Sequence, residues 1–234
     1  MEAAVEPSSL PVAQPRTRVI RDGLTVGGTI VAILAIALLP LLTPLVMHPV
    51  LDASDAAAWL GTSQQTTHAL SDRTVNELLF GPGTFAFELP AGVAFYDPAE
   101  IAHLRDARTL LWLLFGAGTL AILGMGVAVV RSDRPDRIVR AIGLGGAVTA
   151  VGVVVIGVIG LVAFEPLFEL FHRIFFPGGN WAFDPRTERL VQLYPYAFWQ
   201  FIAAGLGIVA GVLGVVTWAL ARRLVGPDTS RAER

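Results

Sequence analysis

Apolar residues in this chain are gathered into four long runs instead of alternating with polar ones. No side chain is charged at neutral pH between residues 23 and 51, and three further uncharged stretches cover 109–130, 141–164 and 190–221. Each is long enough to supply the ~20 residues that a helix needs to cross a bilayer. The pattern predicts an all-α membrane protein with four transmembrane helices, at about 24–47, 109–130, 141–164 and 197–221.

The segments outside these runs are polar and divide the rest of the chain. We expect a disordered cytoplasmic tail, an extracytoplasmic cap, an extracytoplasmic loop and a second cytoplasmic tail, at residues 1–22, 48–108, 165–195 and 222–234. A signal peptide does not fit the first run, because the polar leader and the apolar run are both too long. Pro40 and Pro44 predict a kink in the outer half of this span.

The cap is predicted to be small and of mixed structure. Two short apolar pieces, 85–89 and 93–96, flank a region with glycine and proline and are candidates for strands. About 45 polar-rich residues are too few for an independent domain. The cap is therefore expected to rest on the transmembrane helices.

A helix start is marked between the cap and the second span. Asp97, Pro98 and Glu100 stand at the N-cap, first and third helical positions of a capping box. The helix that follows presents Glu100, His103 and Asp106 on one face at steps of three residues. His103 is then expected one or two turns above the membrane.

The segment from 165 to 184 follows directly on the third span. Helical spacing places Glu165, Glu169 and His172 on one face, where the carboxylates could orient the imidazole. Pro177 is expected to end this helix. The residues after it combine a flexible turn with large rings: Gly178, Gly179, Trp181 and Phe183. This combination places a histidine where protein, lipid headgroups and water meet, which favours chemistry on a lipid.

Composition and charge narrow the function classes. Of the 234 residues, 54% are hydrophobic and 15% charged, against about 25% charged in a typical soluble domain. The net charge of -2 and the lack of a basic stripe give no support for nucleic-acid binding. The chain contains no cysteine, which removes disulfides, thiol nucleophiles and cysteine metal sites.

The arginines predict the orientation of the four spans. Eleven of the seventeen lie in the two tails and in the 131–140 segment, which is expected to be a tight turn, and six lie in the cap and the 165–189 loop. The positive-inside rule then places both termini in the cytoplasm. His103 and His172 are accordingly expected at one level on the outer face.

Each histidine has a simpler explanation that competes with chemistry. His48 at the end of the first span and His68 in the polar cap are expected to be an interfacial anchor and a solvated side chain. For His103 and His172 an ion pair at helical spacing is the simpler explanation for either alone. His103 and His172 are expected at the same depth relative to the membrane, and both have carboxylates nearby. This combination favours a joint site.

Other chemistries fit the sequence less well. A metal site would use carboxylates near the two histidines, but no HExxH motif occurs, and Arg105 and Arg173 explain those carboxylates as ion pairs. A transporter would need ionisable groups within the spans, and apart from terminal His48 there are none. No serine or threonine stands in a recognisable nucleophile motif. We therefore predict no metal and no cofactor.

Three segments resemble one known family. DPAEIAHLRDAR before the second span, FHRIFFPGGNWAFD after the third and LVQLYPYAFW before the fourth resemble the lipoprotein intramolecular transacylase (Lit) family and its wider group of four-span proteins. The resemblance implies four helices under an extracytoplasmic cap in the bacterial cytoplasmic membrane. It also implies two catalytic histidines, which map onto His103 and His172.

The reaction implied by the resemblance moves the sn-2 acyl chain of a diacylglyceryl-modified lipoprotein to the amino group of its N-terminal cysteine. The implied partners are thus this lipoprotein and membrane lipid. One histidine would take the proton of the amine, and the other would stabilise the oxyanion or protonate the leaving oxygen. Sequence leaves open which histidine does which, and it leaves the oligomeric state open too.

Residues around the two histidines are the candidates for binding or orienting the substrate. Backbone N–H groups at 178–180 are predicted to form an anion-holding nest, with a simple tight turn as the alternative. Aromatic rings are expected to exclude water, with interfacial anchoring as their alternative role. The full set is Tyr96, Glu100, Asp106, Glu169, Arg173, Phe175, Phe176, Gly178, Gly179, Asn180, Trp181 and Phe183.

A second function class remains open at this stage. The chain would then be a non-enzymatic membrane protein that binds a lipid or protein partner through its cap, with structural histidines. The geometry of the histidines discriminates between the two. Imidazoles that face each other favour an enzyme, and separately buried ones favour the binding protein.

Overall fold

The computed structural model describes residues 15–89 and 92–226. Within these residues the chain forms eight α-helices and one two-stranded sheet. The helices are α1 (Pro15–Leu38), α2 (Pro44–Ala53), α3 (Ala56–Leu60), α4 (Gln64–Leu79), α5 (Pro98–Arg131), α6 (Pro135–Phe175), α7 (Arg189–Leu193) and α8 (Tyr196–Val225). The strands are β1 (Glu88–Leu89) and β2 (Val93–Ala94).

Four helices among the described residues are long and apolar enough to cross a membrane. They are α1, α5, α6 and α8, the first extending through the short turn after it. α1 packs against the other three, and α6 lies along α8. This arrangement confirms the predicted all-α membrane fold with four candidate spans and a small mixed cap.

Small residues bring α6 and α8 close together. A Cβ added to Gly146 would lie 2.6 Å from the carbonyl oxygen of Gly214, so no larger side chain fits there without a shift. One added to Gly143 would lie 2.7 Å from Cβ of Ala221. Such contacts let helix backbones approach closely in a lipid environment. The first turns of α6 thus pack closely on α8.

The predicted kink after the first span is also confirmed. α1 ends at Leu38, a single 3-10 turn covers Pro40–Leu42, and α2 begins at Pro44. Each proline stands at the start of its own helix. A backbone N–H at that position would have no partner within the helix, so no hydrogen bond is lost. The chain therefore turns from the bundle into the cap at this point.

Several helix boundaries differ from the expected ones. Residues 15–22 are helical, although the disordered tail was predicted to extend to residue 22, and α8 continues to Val225. α6 begins at Pro135, so the turn predicted over 131–140 is confined to residues 132–134. A proline at the first helical position favours an early start. Arg137 also pairs with Asp22 of α1 at 2.5 Å, which keeps these charged turns ordered. The remainder of the predicted tails, 1–14 and 227–234, lies outside the described residues.

The cap has its own apolar core. Side chains from α2, α3, the strand region, α7 and the start of α8 pack together, including Leu51, Phe85, Tyr194 and Phe198. The two strands pair antiparallel, Glu88 opposite Ala94, which confirms the predicted strands in shortened form. Tyr194 and Phe198 are buried in this core, in the same cluster as Leu190 and Leu193 of α7.

Glu100 ties the start of α5 to α7. The capping box predicted at Asp97 is present, with the Asp97 backbone N–H donating to Glu100 Oε2 at 2.7 Å. The backbone N–H of Leu190 donates to Glu100 Oε1 at 2.5 Å, and the side chain is only 1% exposed. A buried carboxylate is costly unless such donors satisfy it. The loop between α6 and α7 is therefore held over the first turns of α5.

Candidate active site

His103 and His172 meet above the transmembrane bundle. His103 lies in the second turn of α5 and His172 in the last turn of α6, and their ring centroids are 5.9 Å apart at 29°. The ring of Phe176 lies against both, at 4.6 Å from His103 and 5.4 Å from His172. The two imidazoles thus lie in one cluster with the Phe176 ring.

A break in α6 directs His172 towards α5. α6 has 41 residues and would be about 60 Å long at ~1.5 Å per residue, twice the ~30 Å hydrocarbon thickness. Ala163 has non-helical φ and ψ of -142° and 41°, three residues before Pro166. Proline removes a helical hydrogen bond and kinks the chain there. The last turns of α6 therefore take their own direction, which carries His172 to His103.

His172 is held by the backbone of its own helix. Its Nδ1 lies 2.8 Å from the carbonyl oxygen of Phe168, and the residue is 7% exposed. A carbonyl oxygen only accepts, so Nδ1 carries the proton and Nε2 of the neutral ring has a free lone pair. The rings of Phe168 and Trp181 lie 4.2 Å and 5.0 Å away. This contact replaces the predicted orientation of His172 by Glu165 or Glu169.

His103 is surrounded by rings and lacks a polar partner at one nitrogen. Phe183 lies 5.7 Å from its ring, in addition to Phe176. Nδ1 is buried and has no hydrogen-bond partner among the described residues. An unsatisfied buried polar atom in a native protein calls for an explanation such as a catalytic role.

Burial keeps both imidazoles neutral. The two rings lie outside the uncharged stretches 109–130 and 141–164 that are expected to cross the membrane. Burial, with a smaller effect of the neighbouring His172, lowers the pKa of His103 to about 4. Burial also lowers the pKa of His172 below its usual value. Neutral imidazoles are proton acceptors, which suits a general base.

The predicted carboxylates do not contact the two imidazoles. Glu169 pairs with Arg173 at 2.8 Å on the exposed side of α6, so both point away from the histidines. Asp106 accepts from Asn180 Nδ2 at 3.0 Å, and Glu100 serves the backbone. Helical spacing predicted these groups on histidine-bearing faces. It could not show that nearer partners would engage them.

The predicted aromatic walls divide into two groups. Phe176, Trp181 and Phe183 contact the histidines, whereas Phe175 is 49% exposed. Tyr96 lies in the cap core, where its hydroxyl is 2.7 Å from Thr74 Oγ1 and burial raises its pKa well above the usual value. Tyr96 thus stabilises the cap and does not line the histidine pair.

Sequence reasoning missed two rings that contact His172, those of Phe168 and of Phe171, the latter at 5.3 Å. Phe168 contributes both the carbonyl that fixes the His172 tautomer and a ring 4.2 Å from the imidazole. It stands four residues before His172, the spacing at which helical side chains meet. That spacing was the available signal.

The glycine segment forms a turn. Gly179 has φ of +73°, a conformation that favours glycine, and its N–H donates to the Phe176 carbonyl at 3.1 Å. One of the three N–H groups assigned to the predicted anion nest is therefore used within the turn. The turn places Asn180 over α5. In the sequence, Asn180 lies between the two phenylalanines that contact His103.

A second histidine pair lies elsewhere in the cap. His48 of α2 and His68 of α4 stack at 4.1 Å with an interplanar angle of 5°. Their Nε2 atoms each lie 2.8 Å from a carboxylate of the other helix, His48 from Asp72 and His68 from Asp52. We call these four side chains the cap clasp. Sequence reasoning predicted an interfacial anchor at His48 and a solvated side chain at His68, and it did not predict their contact. No cluster of three or more potential metal ligands occurs in the described part of the chain.

Comparison with known proteins now identifies the family. The family model for the lipoprotein intramolecular transacylase Lit matches residues 60–199, which include both histidines of the site. The chain belongs to the Lit family. The resemblance found in three sequence segments is thereby confirmed.

Solved structures of a Lit enzyme share the fold. The membrane-integral lipoprotein intramolecular transacylase Lit from Bacillus cereus superimposes with a TM-score of 0.71 and 16% identity, over 91% of this chain and 97% of that one. A form of that enzyme with a histidine-to-alanine substitution gives a TM-score of 0.67 and 17% identity, over 90% and 94% of the two chains. At this identity the likeness shows a common fold.

A sequence relative occurs in Aquifex aeolicus (strain VF5). This uncharacterized protein is 25% identical over 142 residues, which are 58% of this chain. The chain spans 62% of the length of that relative. The shared region, like the family match, covers more than half of this Lit family member.

Proposed function

We propose that this Lit family member is a membrane acyltransferase. It moves the sn-2 acyl chain of a diacylglyceryl-modified lipoprotein to the α-amino group of the N-terminal cysteine. The observation that carries the proposal is the meeting of His103 and His172 at 5.9 Å, with Phe176 against both rings. Two neutral imidazoles in one cluster can transfer protons to and from a single bound substrate.

The reaction needs only proton transfer and positioning. The amine nitrogen forms a bond to the ester carbonyl carbon, and the bond from that carbon to the glyceryl oxygen breaks. The nitrogen gives up a proton, and the glyceryl oxygen takes one up. Atoms and charge balance without a co-reactant or a covalent enzyme intermediate, which suits a chain without cysteine. Because both reacting groups belong to one molecule, correct positioning can lower the barrier by several kcal/mol.

Two nitrogens are available as acceptors for the amine proton. Nε2 of neutral His172 has a lone pair because Nδ1 is protonated at the Phe168 carbonyl. Nδ1 of His103 is buried without a partner among the described residues. A histidine that gains the proton becomes an imidazolium and can return it to the leaving glyceryl oxygen.

The surroundings favour transfer over hydrolysis and fit a lipid. Aromatic rings around both imidazoles limit the access of water, which would otherwise compete with the amine. Below His172, residues 154–159 and 161–162 are all exposed. Since successive residues rotate by about 100°, this stretch is open on every side of α6. Its aliphatic side chains leave room for acyl chains beneath the histidines.

The arginine distribution supports an extracytoplasmic site in the bacterial cytoplasmic membrane. The turn between α5 and α6 and the ends of the chain carry most of the arginines, opposite to the cap. Positively charged loops are retained in the cytoplasm. Lipoprotein substrates with a diacylglyceryl group would then meet the histidines at the outer leaflet.

The non-enzymatic alternative has less support. It requires separately buried histidines, whereas the rings of His103 and His172 lie 5.9 Å apart. The proposed enzyme predicts a specific chemical product, which permits a direct test.

The test is mass spectrometry of the N-terminal peptide of a reporter lipoprotein. The reporter is purified from a lipoprotein-processing host with and without this protein, and with the variants His103→Ala and His48→Ala. We expect one fatty acid on the cysteine nitrogen and one lost from the glycerol, with the intact protein and with His48→Ala. An unchanged diacylglyceryl peptide, given confirmed membrane expression, would contradict the proposal.

A further inference from the structure

Two buried polar atoms on neighbouring side chains lack partners. Asn180 Oδ1 and His103 Nδ1 are the buried side-chain atoms without a hydrogen bond among the described residues. Asp106 is near both residues. It stands one turn after His103 on α5, and its carboxylate accepts a hydrogen bond from Asn180 Nδ2 at 3.0 Å. Leaving a buried polar group unpaired costs free energy. A group on the substrate would recover this cost.

The orientation of the Asn180 amide follows from its partner. An ionised carboxylate only accepts hydrogen bonds, so the NH₂ group of Asn180 must face Asp106. The carbonyl oxygen Oδ1 then points the other way. The loop that carries Asn180 also holds Phe176 and Phe183 against the His103 ring, at 4.6 Å and 5.7 Å. Oδ1 is thus a buried acceptor that faces away from Asp106, in the loop that packs on the His103 ring.

The chemistry of Oδ1 selects one of the two reacting groups. An amide oxygen accepts hydrogen bonds and cannot donate them, so its partner must carry a hydrogen. The ester of the proposed substrate has no N–H or O–H group. Its α-amino group has N–H bonds and is the nucleophile. The ester carbonyl would be repelled by a second carbonyl oxygen.

We propose that Asn180 is the amine-binding residue of the site. Its Oδ1 accepts a hydrogen bond from the α-amino group of the substrate's N-terminal cysteine, while Asp106 fixes the amide in that orientation. Asn180 thereby holds the nucleophile beside His103, and Asp106 is a positioning residue. This inference rests on the proposed function, because it assigns one group of the proposed substrate.

Binding of two matched ligands tests the assignment apart from catalysis. One is a lipid-modified peptide with an N-terminal cysteine, and the other is the same peptide without the α-amino group. We expect the intact protein to prefer the amine ligand about tenfold at pH 8.5, the usual effect of one hydrogen bond. Asn180→Leu should remove this preference, so that the two ligands bind about equally well. Asn76→Leu, at the exposed asparagine on α4, should keep it.

Transfer rates and a second variant complete the test. Asn180→Leu should also lower kcat/KM for N-acylation at least tenfold. If Asn180→Leu does not fold, as judged by thermal unfolding in detergent, Asn180→Ala replaces it with the same expectation. A folded variant that retains the tenfold preference would overturn the inference. If the intact protein forms no N-acyl product, the proposed function itself fails, which is a separate outcome.

Discussion

His103 with His172 and His48 with His68 form two pairs at short separation that differ in how their polar atoms are used. In the cap clasp the rings stack at 4.1 Å, and each Nε2 is bonded to a carboxylate of the opposite helix. In the other pair the rings lie among aromatic side chains, and His103 Nδ1 has no partner among the described residues. One pair joins two helices, and the other keeps nitrogens free for a substrate.

The difference teaches that the environment, more than residue type, decides what a histidine pair can do. Satisfied hydrogen bonds stabilise α2 against α4, because each Nε2–H donates to a carboxylate and is therefore not available to a substrate. Burial without a charged partner favours the neutral imidazole, the form that accepts protons. Substitutions in the two pairs should therefore have very unequal effects on the rate of acyl transfer.

The largest expected effect comes from replacing each histidine in turn with asparagine. His103→Asn and His172→Asn should each lower the rate of transfer by about 10²–10⁴-fold, the usual contribution of a general acid or base. His48→Asn and His68→Asn should change it by less than about threefold, since the clasp contacts no reacting atom. Rates are measured with purified, equally folded variants and mass spectrometry of the N-acyl product.

The comparison would break if a clasp variant lost activity as strongly as His103→Asn while keeping its thermal stability. It would then be the clasp, and not the aromatic site, that supplies proton transfer. Loss of activity together with loss of stability would indicate only that the clasp helps to fold the cap.

An intermediate effect is expected in the dependence of the rate on pH. Burial lowers the pKa of His103 to about 4 and also lowers that of His172, so protonation of both rings is shifted to lower pH. The decrease in kcat/KM at acidic pH should then report only the protonation of the substrate amine, whose pKa is near ~8. We expect about a fiftyfold fall from pH 8 to pH 6, with a slope that approaches one below about pH 7.

A steeper acid limb would contradict this account. If either imidazole of the site had an ordinary pKa near ~6.5, the slope would increase towards two below that value. The profile is measured with a synthetic lipopeptide in detergent, and the stability of the protein is checked at each pH.

The smallest effect is expected within the clasp itself. His48 and Asp72 are partly exposed, and such pairs contribute about 0.2–1 kcal/mol. A cycle of His48→Ala, Asp72→Ala and the double variant should show that coupling as a difference of about 1–4 °C in the unfolding temperature. If the shifts in unfolding temperature of the two single variants add up to that of the double variant, the contact does not stabilise the cap.

Local sequence was enough to predict several parts of the molecule. The four apolar spans, the capping box at Asp97 and the helix ending before Pro177 depend on residues close in the chain. Segments around His103 and His172 identified the family before any comparison. These features follow from the length of a bilayer, the geometry of a helix end and short residue patterns.

Tertiary structure decided which atoms meet. Glu100 bonds the backbone of Leu190, 90 residues away, and Asp106 bonds Asn180, 74 residues away. Helical spacing assigned both carboxylates to histidine-bearing faces, but competing donors on other elements engaged them. The stacking of His48 on His68 also depends on how α2 packs against α4. The sequence by itself thus determined the spans, the helix start and the candidate histidines, because these depend on local periodicity. The partners of each polar atom were decided only by packing between distant segments, which no local pattern records.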